Sequence, residues 1–200
     1  MNVRIAQLFC FNAGIWYDNE LEMNQFTVKL WLITQTTNPE EQNIAFRRAK
    51  HFIHGELENT IFVNVANEQK CLELMQAGLN VTTLPNEPVE QLIGIMLFHK
   101  LNAVMEERIK LFEIEISGGD ALVYLHGDEE ISSNLAPADW WDTPDLKHCD
   151  YVLADAENVL SIAQNTAWRD LDLAWPEQPT DDNSGNVVVF ADFKAHDKTE

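Results

Sequence analysis

The stretch "PVEQLIGIMLFHKLNAVMEERI", Pro88 to Ile109, is apolar nearly all the way round between Leu92 and Phe98. A surface helix carries one apolar stripe, whereas a helix that is apolar on every side needs cover on every side. Whatever this chain folds into, that helix is central and buried, with Pro88 opening it. The rest of the chain has to supply the layers around it. With 200 residues and 46% hydrophobic composition, there is enough material for one packed domain.

The flanking sequence supplies those layers. "VRIAQLFCF" mixes β-branched and aromatic residues and reads as a strand. "QFTVKLWLIT" alternates, with Phe26, Val28, Leu30 and Leu32 facing one way and Thr27, Lys29, Trp31 and Ile33 the other. The link from Gly14 to Asn24 is longer than a tight turn and predicts a broad hairpin. "NPEEQNIAFRRAKHFIHG" is the clearest amphipathic helix. Asn38 caps it, Pro39 fits its first position, and Glu40 and Glu41 sit at the positive end of its dipole. Ala45, Phe46, Ala49, Phe52 and Ile53 form its apolar stripe, and Gly55 is placed to end it. "TIFVNV", "EQKCLELMQAG" and "NVTTLP" then read as strand, helix and strand, one parallel crossover unit. "KLFEIEIS" and "ALVYLHG" alternate on both sides of "GGD" and predict a hairpin.

Residues 127–150 read as an irregular acidic segment, followed by a helix from about Asp155 to Ala167. "PEQPTDDNSGN" has the composition of a linker, "VVVFADF" that of a late strand, and "KAHDKTE" that of a frayed tail. The expected fold class is α+β: a single domain with a mixed or antiparallel sheet packed on about three to four helices, with an acidic C-terminal region. Residues 1–126 form the α+β core. Residues 127–175 form an acidic loop and helix packed on it, and residues 176–200 a flexible linker, late strand and tail.

Charge narrows the function classes. The chain has 33 acids against 13 lysines and arginines, a formal net charge of −20. Residues 1–117 hold 15 acids and 9 bases, and residues 118–200 hold 18 acids and 4 bases. Such a surface repels nucleic acid and anionic membrane, so direct nucleic-acid reading is excluded as an expectation and a basic protein partner favoured. The plain alternative is that the acidity only keeps the protein soluble. No apolar run approaches the ~20 residues that span a bilayer. The N-terminus lacks a long apolar region with a cleavage site, so a cytoplasmic location is expected. Cys10, Cys71 and Cys149 are odd in number, far apart and form no CxxC pair, in keeping with a reducing compartment.

Chemistry-bearing patterns are sparse. GxSxG, GxxxxGK[ST] and GxGxxG are all missing from the sequence. His51 and His54, three apart on the first helix, lack the HExxH glutamate and fall in the last turn, where a cation is favoured in any case. His126 with Asp128, and His148 with Asp150, offer nitrogen and oxygen ligands for a metal, although their separations fit no zinc pattern. Cys149 beside His148 is a poor nucleophile pair, because adjacent residues seldom align thiol and ring and nearby aspartates raise the thiol pKa. No cofactor is identifiable.

"PADWWDTPDLKHCDY" concentrates aromatic and acidic residues. Neighbours in an extended segment point opposite ways, so Trp140 or Trp141 is expected to be buried as an anchor against the hairpin ending at His126. Asp139, Asp142 and Asp145 are then expected to face solvent. Asp139, Trp140, Trp141, Asp142 and Asp145 make up the candidate docking surface.

Three stretches together carry a resemblance: "RIAQLFCFNAGIWYDNELEMNQFTVKLWLITQTTNPEEQNIAFRRAKHFI", "EPVEQLIGIMLFHKLNAVMEERI" and "ALVYLHGDEE…WWD". Over about residues 3–150 the chain resembles a family of small proteins of tailed, especially contractile-tailed, bacteriophages. The resemblance transfers no activity. It implies an accessory protein acting in the cytoplasm of an infected bacterium. Strands, a helical middle and further strands are also similar in architecture to the tunnelling fold of pterin and purine enzymes. The strands expected near Thr60 and Val81 depart from that fold, and its substrate-anchoring glutamate has no counterpart that can be placed. The expectation is therefore an acidic binding or inhibitory protein that docks on a basic host or viral protein, with nucleic-acid charge mimicry as one means. The alternatives are a small metal-assisted enzyme acting on a nucleotide-like molecule, using His126, Asp128, His148 and Asp150, or a minor virion component.

Overall fold

The computed structural model describes residues 4–119, 121–127, 135–137, 140 and 168–176. The elements are β1 (Arg4–Tyr17), β2 (Glu20–Thr34), α1 (Pro39–His51) running into a π-helical turn (Phe52–Glu56), β3 (Ile61–Asn64), α2 (Glu68–Gln76), β4 (Val81–Leu84), α3 (Glu90–Met105), β5 (Ile109–Ser117), β6 (Leu122–His126) and a 3₁₀ turn (Trp168–Leu171). One mixed sheet orders the strands β4-β3-β1-β2-β5-β6. β1–β2, β2–β5 and β5–β6 are antiparallel, while β3 runs parallel to both β1 and β4. This is the expected α+β class, with the 61–84 stretch forming the expected parallel crossover.

The core follows from side-chain parity. Phe26, Val28, Leu30 and Leu32 of β2 are all fully buried, and the intervening Thr27, Lys29, Trp31 and Ile33 are half-buried. Every residue of α3 from Leu92 to Phe98 is buried, as its all-round apolar sequence demands. A Cβ on Gly94 would meet Ile116 Cγ2 at 3.0 Å and Leu125 Cδ1 at 3.2 Å, so the missing side chain lets α3 lie close on the β5–β6 hairpin. α1 contributes Ala45, Ala49, Phe52 and Ile53 to the same core. α2 packs elsewhere: with Cys71 and Leu74 it covers Ile61, Val63, Val81 and Trp16, on the sheet face away from Phe62 and Leu84. Burial together with the nearby Glu68 charge pushes the Cys71 thiol above its usual pKa, so it behaves as a small apolar side chain.

Three local expectations are corrected. The β1–β2 ladder continues from Arg4↔Ile33 to Tyr17↔Glu20, so the hairpin is not broad. Asp18 and Asn19 turn it, with φ of 48° and 64°, the two-residue geometry that matches strand twist. Tyr17, Leu21 and Met23 near its tip are exposed, so no buried face imposes the alternation that would have marked these residues as strand. Gly55 does not end α1 but lies inside the π-helical turn, with the His51 ring about 3 Å from where its Cβ would be. α3 starts at Glu90, after a Val89 N-cap and two residues past Pro88, and stops at Met105 because Glu106 and Glu107 take φ of 45° and 60°. Asn38 caps α1 as expected, accepting from the Glu40 amide at 3.0 Å.

Candidate functional site

Two features stand out from this frame. The first is the clasp that holds residues 168–176. Arg48 lies on the apolar stripe of α1 and is 1% exposed. Its guanidinium stacks on the Trp168 ring at 4.4 Å and the Trp175 ring at 3.9 Å, and its Nε donates to the Leu173 carbonyl at 2.8 Å. A terminal nitrogen of the same group pairs with Glu106. Glu106 in turn accepts from Trp175 Nε1 at 2.6 Å, and the Arg108 guanidinium lies 4.5 Å from the Trp175 ring centre. The charge of Arg48 is thus taken out of water with a carboxylate, a carbonyl and two π faces around it, the condition under which a buried cation is tolerated. The left-handed backbone at Glu106 aims its carboxylate at both Arg48 and Trp175.

The second feature is the sheet face over β1, β2, β5 and β6 that α2 does not cover. Lys29 lies over the Trp31 ring at 4.5 Å, and Trp31 meets Tyr124 edge-on at 5.9 Å. The Tyr124 hydroxyl donates to Glu113, whose carboxylate also sits 3.2 Å from His126 Nε2. The hydrogen bond to Glu113 raises the Tyr124 phenol above its ordinary pKa, and partial desolvation and then the charges of Glu113 and Glu115 add to that. Leu8, Cys10 and Leu122 are exposed on the strands around this group.

Of the expected docking residues, Trp140 is described. It is 3% exposed and belongs to the main core cluster together with Trp168 and Leu173, as an anchor would. Asp139, Trp141, Asp142 and Asp145 lie outside the described residues. Of the expected metal set, His126 is described and paired with Glu113. Asp128, His148 and Asp150 lie outside, as do the helix expected at 155–167 and the strand expected at 187–193. Among the described residues no group of three or more metal-ligating side chains converges, and no helix is long and apolar enough to cross a membrane. His51 and His54 part company through the π-helical turn. His51 sits 3.6 Å from Glu56 and edge-on to Trp168, while the His54 ring lies tilted against Phe9 at 5.9 Å.

Sequence reasoning missed the clasp. The available signal was Arg48 itself, a charge on the apolar stripe between Ala45 and Ala49, with tryptophans far downstream to shelter it. The sheet face beyond α2 was half readable, because alternation in β2 and β5 already put Lys29 with Trp31 and Glu113 with Glu115.

No family model and no curated protein matches the chain. Among solved structures, an uncharacterized protein from Wolinella succinogenes is similar over 63% of this chain and 98% of its own, with 15% identity and a TM-score of 0.44. Plasmodium falciparum 6-pyruvoyl tetrahydropterin synthase is similar over 62% of this chain and 98% of its own, with 13% identity and a TM-score of 0.39. Neither likeness bears on activity.

Proposed function

We propose that this is a non-enzymatic binding protein that docks on a basic host or viral protein, in the setting of an accessory protein of a tailed bacteriophage. The observation that carries the reading is the double anchoring of an acidic stretch. Trp140 and Trp168 are both buried in the main core. The residues between them, 141–167, hold five acids and one lysine. A segment fixed at both ends loses less entropy on binding than a free tail, so its carboxylates meet a basic surface at lower cost. Opposite charge also steers such an encounter, with a rate that falls as salt rises.

The test is affinity capture with the full chain from phage-infected cells, at moderate and at high salt. The expected result is a basic protein recovered at moderate salt and lost at high salt. Asp139→Asn, Asp142→Asn and Asp145→Asn combined should weaken capture at least tenfold and leave the melting temperature unchanged. Recovery of no basic protein, or capture insensitive to both salt and the substitutions, would overturn the reading.

The alternative, a metal-assisted enzyme acting on a nucleotide-like molecule, draws on one contact. Glu113 engages His126 Nε2, the arrangement that orients a metal-ligating imidazole through its other nitrogen. Stoichiometric zinc or manganese in purified protein, lost in His126→Ala, would favour it.

A further inference from the structure

β1 is long, and the strand beside it on one side is short. β3 pairs only with Gly14 and Ile15. On that side the Gly14 amide donates to the Thr60 carbonyl at 2.8 Å, the Asn12 amide reaches Glu58 Oε2 at 3.3 Å, and the Asn12 carbonyl accepts from Asn59 at 2.7 Å. Backbone groups of alternate residues point to alternate sides of a strand. The N–H and C=O groups of Arg4, Ala6, Leu8 and Cys10 therefore turn to the same side as those of Asn12 and Gly14. No described residue bonds to this row between Arg4 and Cys10. The side chains beside it are also short of cover. Leu8 on the outer face is 65% exposed. On the inner face Ile5 and Phe9 are half-buried, although their β2 partners Leu32 and Val28 are fully buried.

We propose that the chain's own segment Val187–Phe193 docks on this edge as a further strand. The first support is pattern: Val187, Val189, Ala191 and Phe193 are all apolar and suit the side over Ile5 and Phe9. Val188 and Phe190 suit the side beside Leu8, and Asp192 brings a polar end to that outer row. The second is position. Arg108 holds Trp175, and its carbonyl accepts from the Gln35 amide at 2.9 Å, just past Ile33, the β2 partner of Arg4. The described chain thus ends, at Pro176, near the end of the sheet at which Arg4 lies, with β2 between Arg108 and β1. The third is reach. Residues 177–186 can span up to roughly 33 Å, and the row from Arg4 to Cys10 is about 20 Å long, so either strand direction is attainable. An edge whose one charge sits at its Arg4 end is also a template for unwanted pairing, which a strand supplied in cis would close.

Residue-resolved amide exchange on the full chain tests this. Ala6, Leu8 and Cys10 are expected to exchange as slowly as Phe9 and Phe11, whose amides face β2. Val188→Pro and Val189→Pro, made separately, should speed the even-numbered row by about a hundredfold and leave the odd-numbered row slow. The slow odd row shows in the same measurement that the fold is intact. Fast exchange of the even row in the unsubstituted chain would overturn the proposal. So would protection that survives both prolines, which would mean another segment covers the edge, or protection that fades on dilution, which would mean that a second copy supplies the strand.

Discussion

Tyr124 shows how the sheet face beyond α2 keeps its charges in order. The phenol is 53% exposed, and its partial desolvation comes second to its hydrogen bond in raising its pKa. Its hydroxyl donates to the Glu113 carboxylate, and a proton shared in that way is harder to remove. The Tyr124 phenol is expected to titrate above the ordinary value of 10.0, and Glu113→Gln should bring it back down, as read by absorbance of the phenolate. The sign for stability follows. A group whose folded pKa is raised adds stability that is fully present below its unfolded pKa and is lost as pH rises through the folded value. The support that the raised phenol gives the hairpin is thus present at neutral pH and is lost as pH rises through the folded phenol pKa. Glu113 and Tyr124 sit in alternating strands, so their facing was readable in sequence. Their meeting was not, because it depends on the β5–β6 register that sets Glu113 opposite His126 and Glu115 opposite Tyr124.

At the scale of elements, two devices keep the sheet regular. One is the turn at Asp18 and Asn19, where short polar side chains tolerate the left-handed backbone but glycine tolerates it better. Asn19→Gly is expected to stabilise the protein by roughly 1 kcal/mol or less, measured as a rise in the urea midpoint at unchanged slope. The other is on β5 beyond the reach of β6. Asn102 of α3 accepts from the Leu111 amide at 2.9 Å and donates to the Leu111 carbonyl at 3.1 Å. One amide side chain thus takes the place of a neighbouring strand. The apolar periodicity of α3 was plain in the sequence. That Asn102 would serve the sheet was not, because an asparagine in a helix gives no sign of which backbone it will meet.

For the molecule as a whole, the clasp around Arg48 joins chain regions more than a hundred residues apart. The Arg48–Leu173 bond spans 125 positions. Removing one partner of a buried ion pair leaves the other without its counter-charge. Arg48→Ala is expected to cost about 3 kcal/mol in urea unfolding. It should also shift tryptophan emission to the red, as Trp168 and Trp175 lose their shelter. Arg48→Met, which keeps the bulk without the charge, should restore the emission more than the stability if packing holds the rings. Equal stability of Arg48→Ala and the unsubstituted chain would show that residues 168–176 stay in place without the clasp.

By itself the sequence determined the class of fold, the central burial of α3, the α1 cap and stripe, the parallel crossover and the terminal hairpin. Each of these is a periodic or capping signal, set by neighbours within a few residues and by the need to bury one face. It also determined that negative charge gathers after residue 117, which is a matter of composition. The tertiary structure alone decided the strand order, the separation of α2 from the other helices and the row on β1 to which no described residue bonds. It also decided the fate of the charged residues on apolar faces. Arg48 became a clasp because two tryptophans and a carboxylate reach it from distant parts of the chain. Contacts of that kind leave no periodic trace: each partner is ordinary in its own neighbourhood, and only their meeting makes burial of the charge affordable.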